Sequence, residues 1–209
     1  MPKCAGSSMN ALLAKHFDLT YDNESFFRTP KDERESLISY YFRSPNEIPK
    51  NSFIFGHFFP VKYLGNVKNN KKYFRLFTFL RDPLERLASH YSYWKKYEFD
   101  HHYLWKRMSK ENWSFQEFCL SHEMRNFYSQ YLTHVPLSSF EFVGIVENIA
   151  EDWKKICKIL EIEHEELPKL NKAPNSLIKE LSEKDKNQIE EYHSEDISLY
   201  LKCKKLRNL

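Results

Sequence analysis

Three short apolar runs, set between stretches of helical periodicity, restrict this chain more than any other feature. Ser52-Phe-Ile-Phe-Gly-His57, Tyr73 to Leu80 and Glu141-Phe-Val-Gly-Ile-Val146 each have the length of a strand and residues that favour a pleated surface. The second run ends at Asp82-Pro83, an N-cap followed by proline at the first helical position. Leu84, Leu87, Ala88 and Tyr91 then recur at i, i+3, i+4 and i+7, which predicts a helix with one buried face. The third run leads into a helix over Ile149 to Leu160, with Ile149, Trp153, Ile156, Cys157 and Leu160 on one side. Strands alternating with helices predict an α/β fold with a mostly parallel sheet.

The remaining segments fill in around this alternation. Ser7 or Ser8 is placed to cap a short first helix carrying Met9, Leu12 and Leu13. Residues 20–50 read as loop-rich, with one helix near Lys31–Phe42. Residues 93–133 are aromatic and helical in pieces, and Leu167 to Ser176 is a loop holding Pro168 and Pro174. Ser182-x-x-Asp185 opens one last helix with Ile189, Tyr192, Ile197 and Tyr200 as its apolar positions.

With 209 residues, the length is that of a single domain, 1–209. The net charge of +3 is too small to point to nucleic acid. No apolar run reaches the roughly 18 residues of a membrane span, and the N-terminus lacks a secretory pattern. Cys4, Cys119, Cys157 and Cys203 are far apart, which argues against a zinc ribbon or a disulfide framework and favours a reducing, cytoplasmic setting. A lumenal piece of a longer membrane-anchored protein is the alternative. Adjacent His101 and His102 cannot easily face one ion, so no metal is expected.

Two segments carry chemistry. Pro2-Lys3-Cys4-Ala5-Gly6-Ser7-Ser8 places a lysine, a glycine and two hydroxyls at the start of a helix, where free N–H groups and a partial positive charge suit a phosphate. An ordinary polar N-terminus with a serine cap is the other reading. Lys3 precedes Gly6, so the loop is not the GxxxxGK[ST] loop of nucleotide phosphotransferases, which makes an ATP-dependent activity the weaker alternative. In Phe79-Leu-Arg-Asp-Pro-Leu-Glu-Arg-Leu-Ala-Ser-His-Tyr91, Arg81 ends a strand and Ser89 lies eight residues on, so both can reach one anion. The alternative is a surface ion pair of Arg81 with Asp82 or Glu85. His57 follows a strand and a glycine. An imidazole there suits proton abstraction near neutral pH, and a core histidine bonded to backbone is its alternative role.

Taken together and in this order, PKCAGSS and LRDPLERLASHY resemble the two donor-binding motifs of the sulfotransferase superfamily that uses 3′-phosphoadenosine 5′-phosphosulfate (PAPS). The nearest branch is that of carbohydrate sulfotransferases similar to heparan sulfate 2-O-sulfotransferase. Weaker echoes are Phe55-Gly-His57, Phe142-Val-Gly-Ile-Val-Glu147 and Leu167-Pro-Lys-Leu-Asn-Lys172. The resemblance implies a P-loop-like three-layer fold and transfer of a sulfuryl group to a hydroxyl on a carbohydrate or another acceptor, without metal. It implies that Lys3 contacts the phosphosulfate and assists the leaving phosphate. Gly6, Ser7 and Ser8 would cradle the 5′-phosphate, and Arg81 and Ser89 would hold the 3′-phosphate. His57 would be the base, and Asn171 and Lys172 would belong to a loop over the nucleotide. Arg86 either adds charge nearby or lies on the surface. Such a fold normally has a central strand before the loop at Lys3, and no residues for one precede Met1-Pro2. The expectation is therefore a sheet lacking its first central strand, unless the true start lies upstream, the chain is a fragment, or another strand substitutes. A truncated relative that binds the nucleotide without turnover is the corresponding alternative.

Overall fold

The computed structural model describes residues 1–23, 31–44, 53–64, 74–99, 102–168 and 176–207. Helix α1 spans Gly6–His16, strand β1 Leu19–Asp22, helix α2 Lys31–Arg43 and strand β2 Phe53–Gly56. Strand β3, Phe77–Leu80, leads into helix α3, Pro83–Lys96. Three short helices follow: α4 (Tyr103–Lys110), α5 (Phe115–Cys119) and α6 (Phe127–Tyr131). Strand β4, Phe142–Ile145, precedes α7, Ile149–Leu160, and the described chain closes with α8 (Ser176–Lys179), α9 (Glu183–Tyr192) and α10 (Ser194–Leu206).

The chain is α/β, and every strand pairing among the described residues is parallel. Leu19 to Asp22 runs in register with Phe53 to Gly56, and Phe77 to Leu80 with Phe142 to Ile145. Among the described residues these pairs form two separate two-stranded sheets rather than one continuous sheet. Strand β1 falls where the sequence reads as loop. Its half-buried, half-exposed tetrapeptide lacks the apolar continuity that signals a strand, and pairing to β2 creates it. The strand ending at Leu80 is shorter than the apolar run, and Tyr73 lies outside the described residues.

Helix α3 is the spine of the molecule. Asp82 Oδ1 accepts from the amides of Leu84 and Glu85 at 3.0 Å each, satisfying donors that have no partner inside the helix. Burial is not confined to the predicted stripe of Leu87, Ala88 and Tyr91, because Arg86, Ser89, His90 and Trp94 are buried too. Arg86 is therefore not a surface residue. Its guanidinium is fully buried and lies over the rings of Phe127, 4.5 Å from the centroid, and Tyr128, 5.4 Å away.

The last predicted helix is two helices, α9 and α10, divided at His193. His193 Nδ1 accepts from the Asn126 amide at 3.3 Å, which leaves Nε2–H to donate to the Cys119 carbonyl at 2.8 Å. Burial pushes its pKa down to about 4, so the ring stays neutral and both nitrogens are used. Helix α10 docks through three further side chains. Asp196 accepts the amides of Tyr128 and Ser129, at 2.9 and 3.0 Å, and so caps α6, which has no cap of its own from Asn126. Tyr200 donates to Glu147 at 3.1 Å, and Arg207 pairs with the fully buried carboxylate of Asp152.

Candidate functional site

A cavity of about 750 Å³ opens between the start of α1, the ends of β2 and β3, the middle of α3, and α7 with the segment leading to Pro168. Its volume suits a nucleotide-sized ligand. Lys3, Gly6, Ser7, Ser8, His57, Arg81 and Ser89 all line it. Segments that are far apart in sequence thus converge on one space. Asn171 and Lys172 lie outside the described residues, although Leu167 and Pro168 just before them are part of the wall.

The loop at the start of α1 is coiled tightly. Lys3 and Ala5 have φ of 61° and 62°, both in the left-handed region, and this turns the chain sharply into the helix. The serines do not cap α1. The N-cap position is Ala5, and Ser7 and Ser8 sit inside the first turn. Ser7 is exposed, whereas the Ser8 hydroxyl is buried and donates to the Pro168 carbonyl at 2.8 Å, tying α1 to the far wall. Gly6 is not required by crowding within the protein, since a Cβ there would meet only Phe55 Cζ at 3.9 Å. What its hydrogen atom preserves is open access from the cavity to the backbone at the helix start.

The Lys3 ammonium lies over the ring of Tyr93, 3.7 Å from its centroid. Burial, and after it the positive charge of Arg81, lowers the Lys3 pKa to about 8. Two cations held near each other in a partly buried cavity are relieved by an anion. Arg81 Nη2 donates to Glu85 Oε2 at 3.1 Å, so the ion-pair alternative and the cavity placement are both realised. An anion at Arg81 would compete with Glu85 for the guanidinium.

Gly56 places the next residue. Its φ is +150°, and a Cβ would come within 2.0 Å of the Asp22 carbonyl oxygen on β1, so only glycine can pair there. The chain turns at this point and His57 faces the cavity. His57 Nδ1 is buried with no hydrogen-bond partner, in contrast to the backbone-bonded core histidine that the sequence also allowed. Burial first, then the N-terminal and Lys3 charges, lowers its pKa to about 3, so the imidazole is neutral near pH 7.

Sequence reasoning missed most of the opposite wall. Tyr93 was detectable, since it lies four residues after Ser89 on the same helix and so shares its face. Val146, Ile149, Ala150 and Trp153 line an apolar section, and Lys154, His164 and Glu166 a polar one. Apart from Val146, at the end of the Phe142–Glu147 echo, nothing local in the sequence distinguishes these residues from an ordinary helix face and loop. No group of three or more potential metal ligands occurs among the described residues, and none of the described helices is long and apolar enough to cross a membrane.

Parallel strand pairs, a helix start and a strand-end arginine opening on one cationic cavity define an α/β protein with a pocket suited to a multiply charged anion. The family model described as "Sulfotransferase family" matches residues 1–207, and the chain belongs to that family. Sulfuryl transfer is the general activity this membership supports. Searches among curated proteins and solved structures found no match.

Proposed function

We propose that this protein transfers a sulfuryl group from PAPS to a hydroxyl, and that the acceptor is a carbohydrate. The observation that carries the reading is the convergence of Lys3, the Gly6–Ser8 helix start, Arg81, Ser89 and an unpartnered His57 nitrogen on one cavity. The helix start and Lys3 hold the 5′-phosphosulfate, while Arg81 and Ser89 hold the 3′-phosphate. The apolar section around Ile149 and Trp153 is suited to a base.

His57 takes the proton of the acceptor hydroxyl as its oxygen attacks sulfur. The new S–O bond forms as the bond from sulfur to the phosphate oxygen breaks, and Lys3 offsets the charge left on that phosphate. Adenosine 3′,5′-bisphosphate (PAP) leaves, and the His57 proton returns to solvent. Burial is the larger cause of the low pKa of His57, and the N-terminal and Lys3 charges add to it. A bound polyanion opposes the charges that depress it and makes the imidazole a stronger base. A carbohydrate acceptor is supported by Tyr93 in the wall and by the exposed ring of Tyr97 at 4.9 Å from it, since aromatic faces stack on sugar rings.

The test pairs PAP binding by calorimetry with transfer of labelled sulfate from PAPS to a panel of glycans. Binding with turnover supports the proposal. Binding without turnover favours a nucleotide-binding relative that lacks catalysis, and absence of PAP binding refutes the site.

A further inference from the structure

Arg81 is the residue on which recognition of a 3′-phosphate depends in the reading above, and one buried side chain holds its backbone on both polar groups. The Tyr128 hydroxyl accepts from the Arg81 amide at 3.0 Å and donates to the Arg81 carbonyl at 2.8 Å. The same oxygen lies 3.6 Å from Cys4 Sγ, in the loop that carries Lys3. Tyr128 is fully buried and does not line the cavity. It is anchored in turn by Asp196, which accepts its amide. The strand-end peptide of Arg81 is thus tied to α6 and to the N-terminal loop through one oxygen atom.

We infer that Tyr128 is the positioning residue for selection of the 3′-phosphate: its hydroxyl fixes the Arg81 backbone relative to the Lys3 loop, so that the two anion-binding points keep a set separation. The inference rests on the proposal that the cavity binds PAPS. The hydroxyl spends its proton on Arg81 and receives one from Arg81, so replacing it by hydrogen leaves both Arg81 groups without their partner at that end of the strand. The outer brace, Glu147 accepting the Asp82 amide at 2.9 Å, is solvent-exposed and fixes the next residue instead. Loss of the inner brace therefore loosens Arg81 itself. A ligand with two phosphates, whose spacing must match, suffers more than a ligand with one.

The experiment measures dissociation constants of PAP and of adenosine 5′-monophosphate for the full chain and for Tyr128→Phe, together with hydrogen exchange at the Arg81 amide. The wild-type preference for PAP should fall by roughly threefold to tenfold in the variant, with faster exchange at Arg81, while monophosphate binding changes little. A merely structural tyrosine would weaken both ligands equally or lower only the melting temperature. That result, or an unchanged preference in a folded variant, overturns the inference. If Tyr128→Phe does not fold, 3-fluorotyrosine placed at residue 128 keeps the ring and alters the hydroxyl's hydrogen bonding. A preference shifted in that protein supports the inference, and an unshifted one overturns it. A wild-type chain with no preference for PAP refutes the underlying reading of the cavity and the inference with it, whereas a preserved preference in Tyr128→Phe refutes the inference alone.

Discussion

Binding of PAP near pH 8 should draw protons into the cavity, and the amount follows from Lys3. Burial and the Arg81 charge hold this ammonium at about 8, against an ordinary value of 10.5, so near pH 8 half of the molecules carry Lys3 uncharged. A phosphate placed between Lys3 and Arg81 removes their mutual repulsion and supplies a counter-charge, which returns Lys3 toward its ordinary value. Complete return means uptake of roughly half a proton per PAP bound near pH 8, falling toward zero near pH 6, where Lys3 is already charged. The sign follows directly: the protonated lysine binds the anion, so PAP affinity is flat at acidic pH and declines as pH rises through about 8. Calorimetry in two buffers of different ionisation enthalpy reads the uptake, and Lys3→Met isolates this group from the chain's amino terminus. Zero uptake near pH 8, or uptake that survives in Lys3→Met, would refute the placement of the anion beside Lys3.

Arg81→Ala should weaken PAP by about tenfold or more, since charge-assisted bonds contribute on the order of 1.5–3 kcal/mol, and should hardly affect the 5′-monophosphate; calorimetry with both ligands checks this. Glu85→Gln frees the Arg81 guanidinium from its 3.1 Å partner and should tighten PAP by roughly twofold in the same assay. His57→Ala should lower turnover by ~10²–10⁴ with PAP affinity nearly intact, and an equal loss in both would make His57 a structural residue. His57 and His193, held at about 3 and about 4 against 6.5 unfolded, keep their full contribution to stability above pH 6.5 and lose it as pH falls toward 4, because the unfolded chain takes up protons first. Thermal melts should drop between about pH 7 and 5, and His193→Gln, if it folds, should flatten that slope.

The α/β class was legible because the apolar runs at Phe53–Gly56, Phe77–Leu80 and Phe142–Ile145 alternate with clear helical periods. Asp82-Pro83 marked a helix start that the structure realises bond for bond. The cavity's cationic side was legible for a similar reason, since Lys3, Arg81 and Ser89 sit in contiguous segments with distinctive spacing. The serines before Met9 misled, because a cap is decided by backbone angles and Ala5 adopts the left-handed turn. Strand β1 depends on its neighbour, and the break at His193 depends on a backbone amide and carbonyl from two other segments. Between charge near the site and a surface place, the sequence could not decide for Arg86, because local pattern cannot show that Phe127 and Tyr128 cover it. The wall from Ile149 to Glu166, between the two weaker sequence echoes, carries no motif and becomes a wall only by folding opposite α1 and α3.

Helix α10 lends no residue to the cavity, yet Asp196, Tyr200 and Arg207 secure α6, Glu147 and Asp152. Synthesis on the ribosome makes these three side chains after every described residue of the cavity. A nascent chain whose cavity residues have all been made therefore still lacks the side chains that secure α6, Glu147 and Asp152. Docking of α10 thus completes the ties to α6, Glu147 and Asp152 late, against elements made far earlier in the chain.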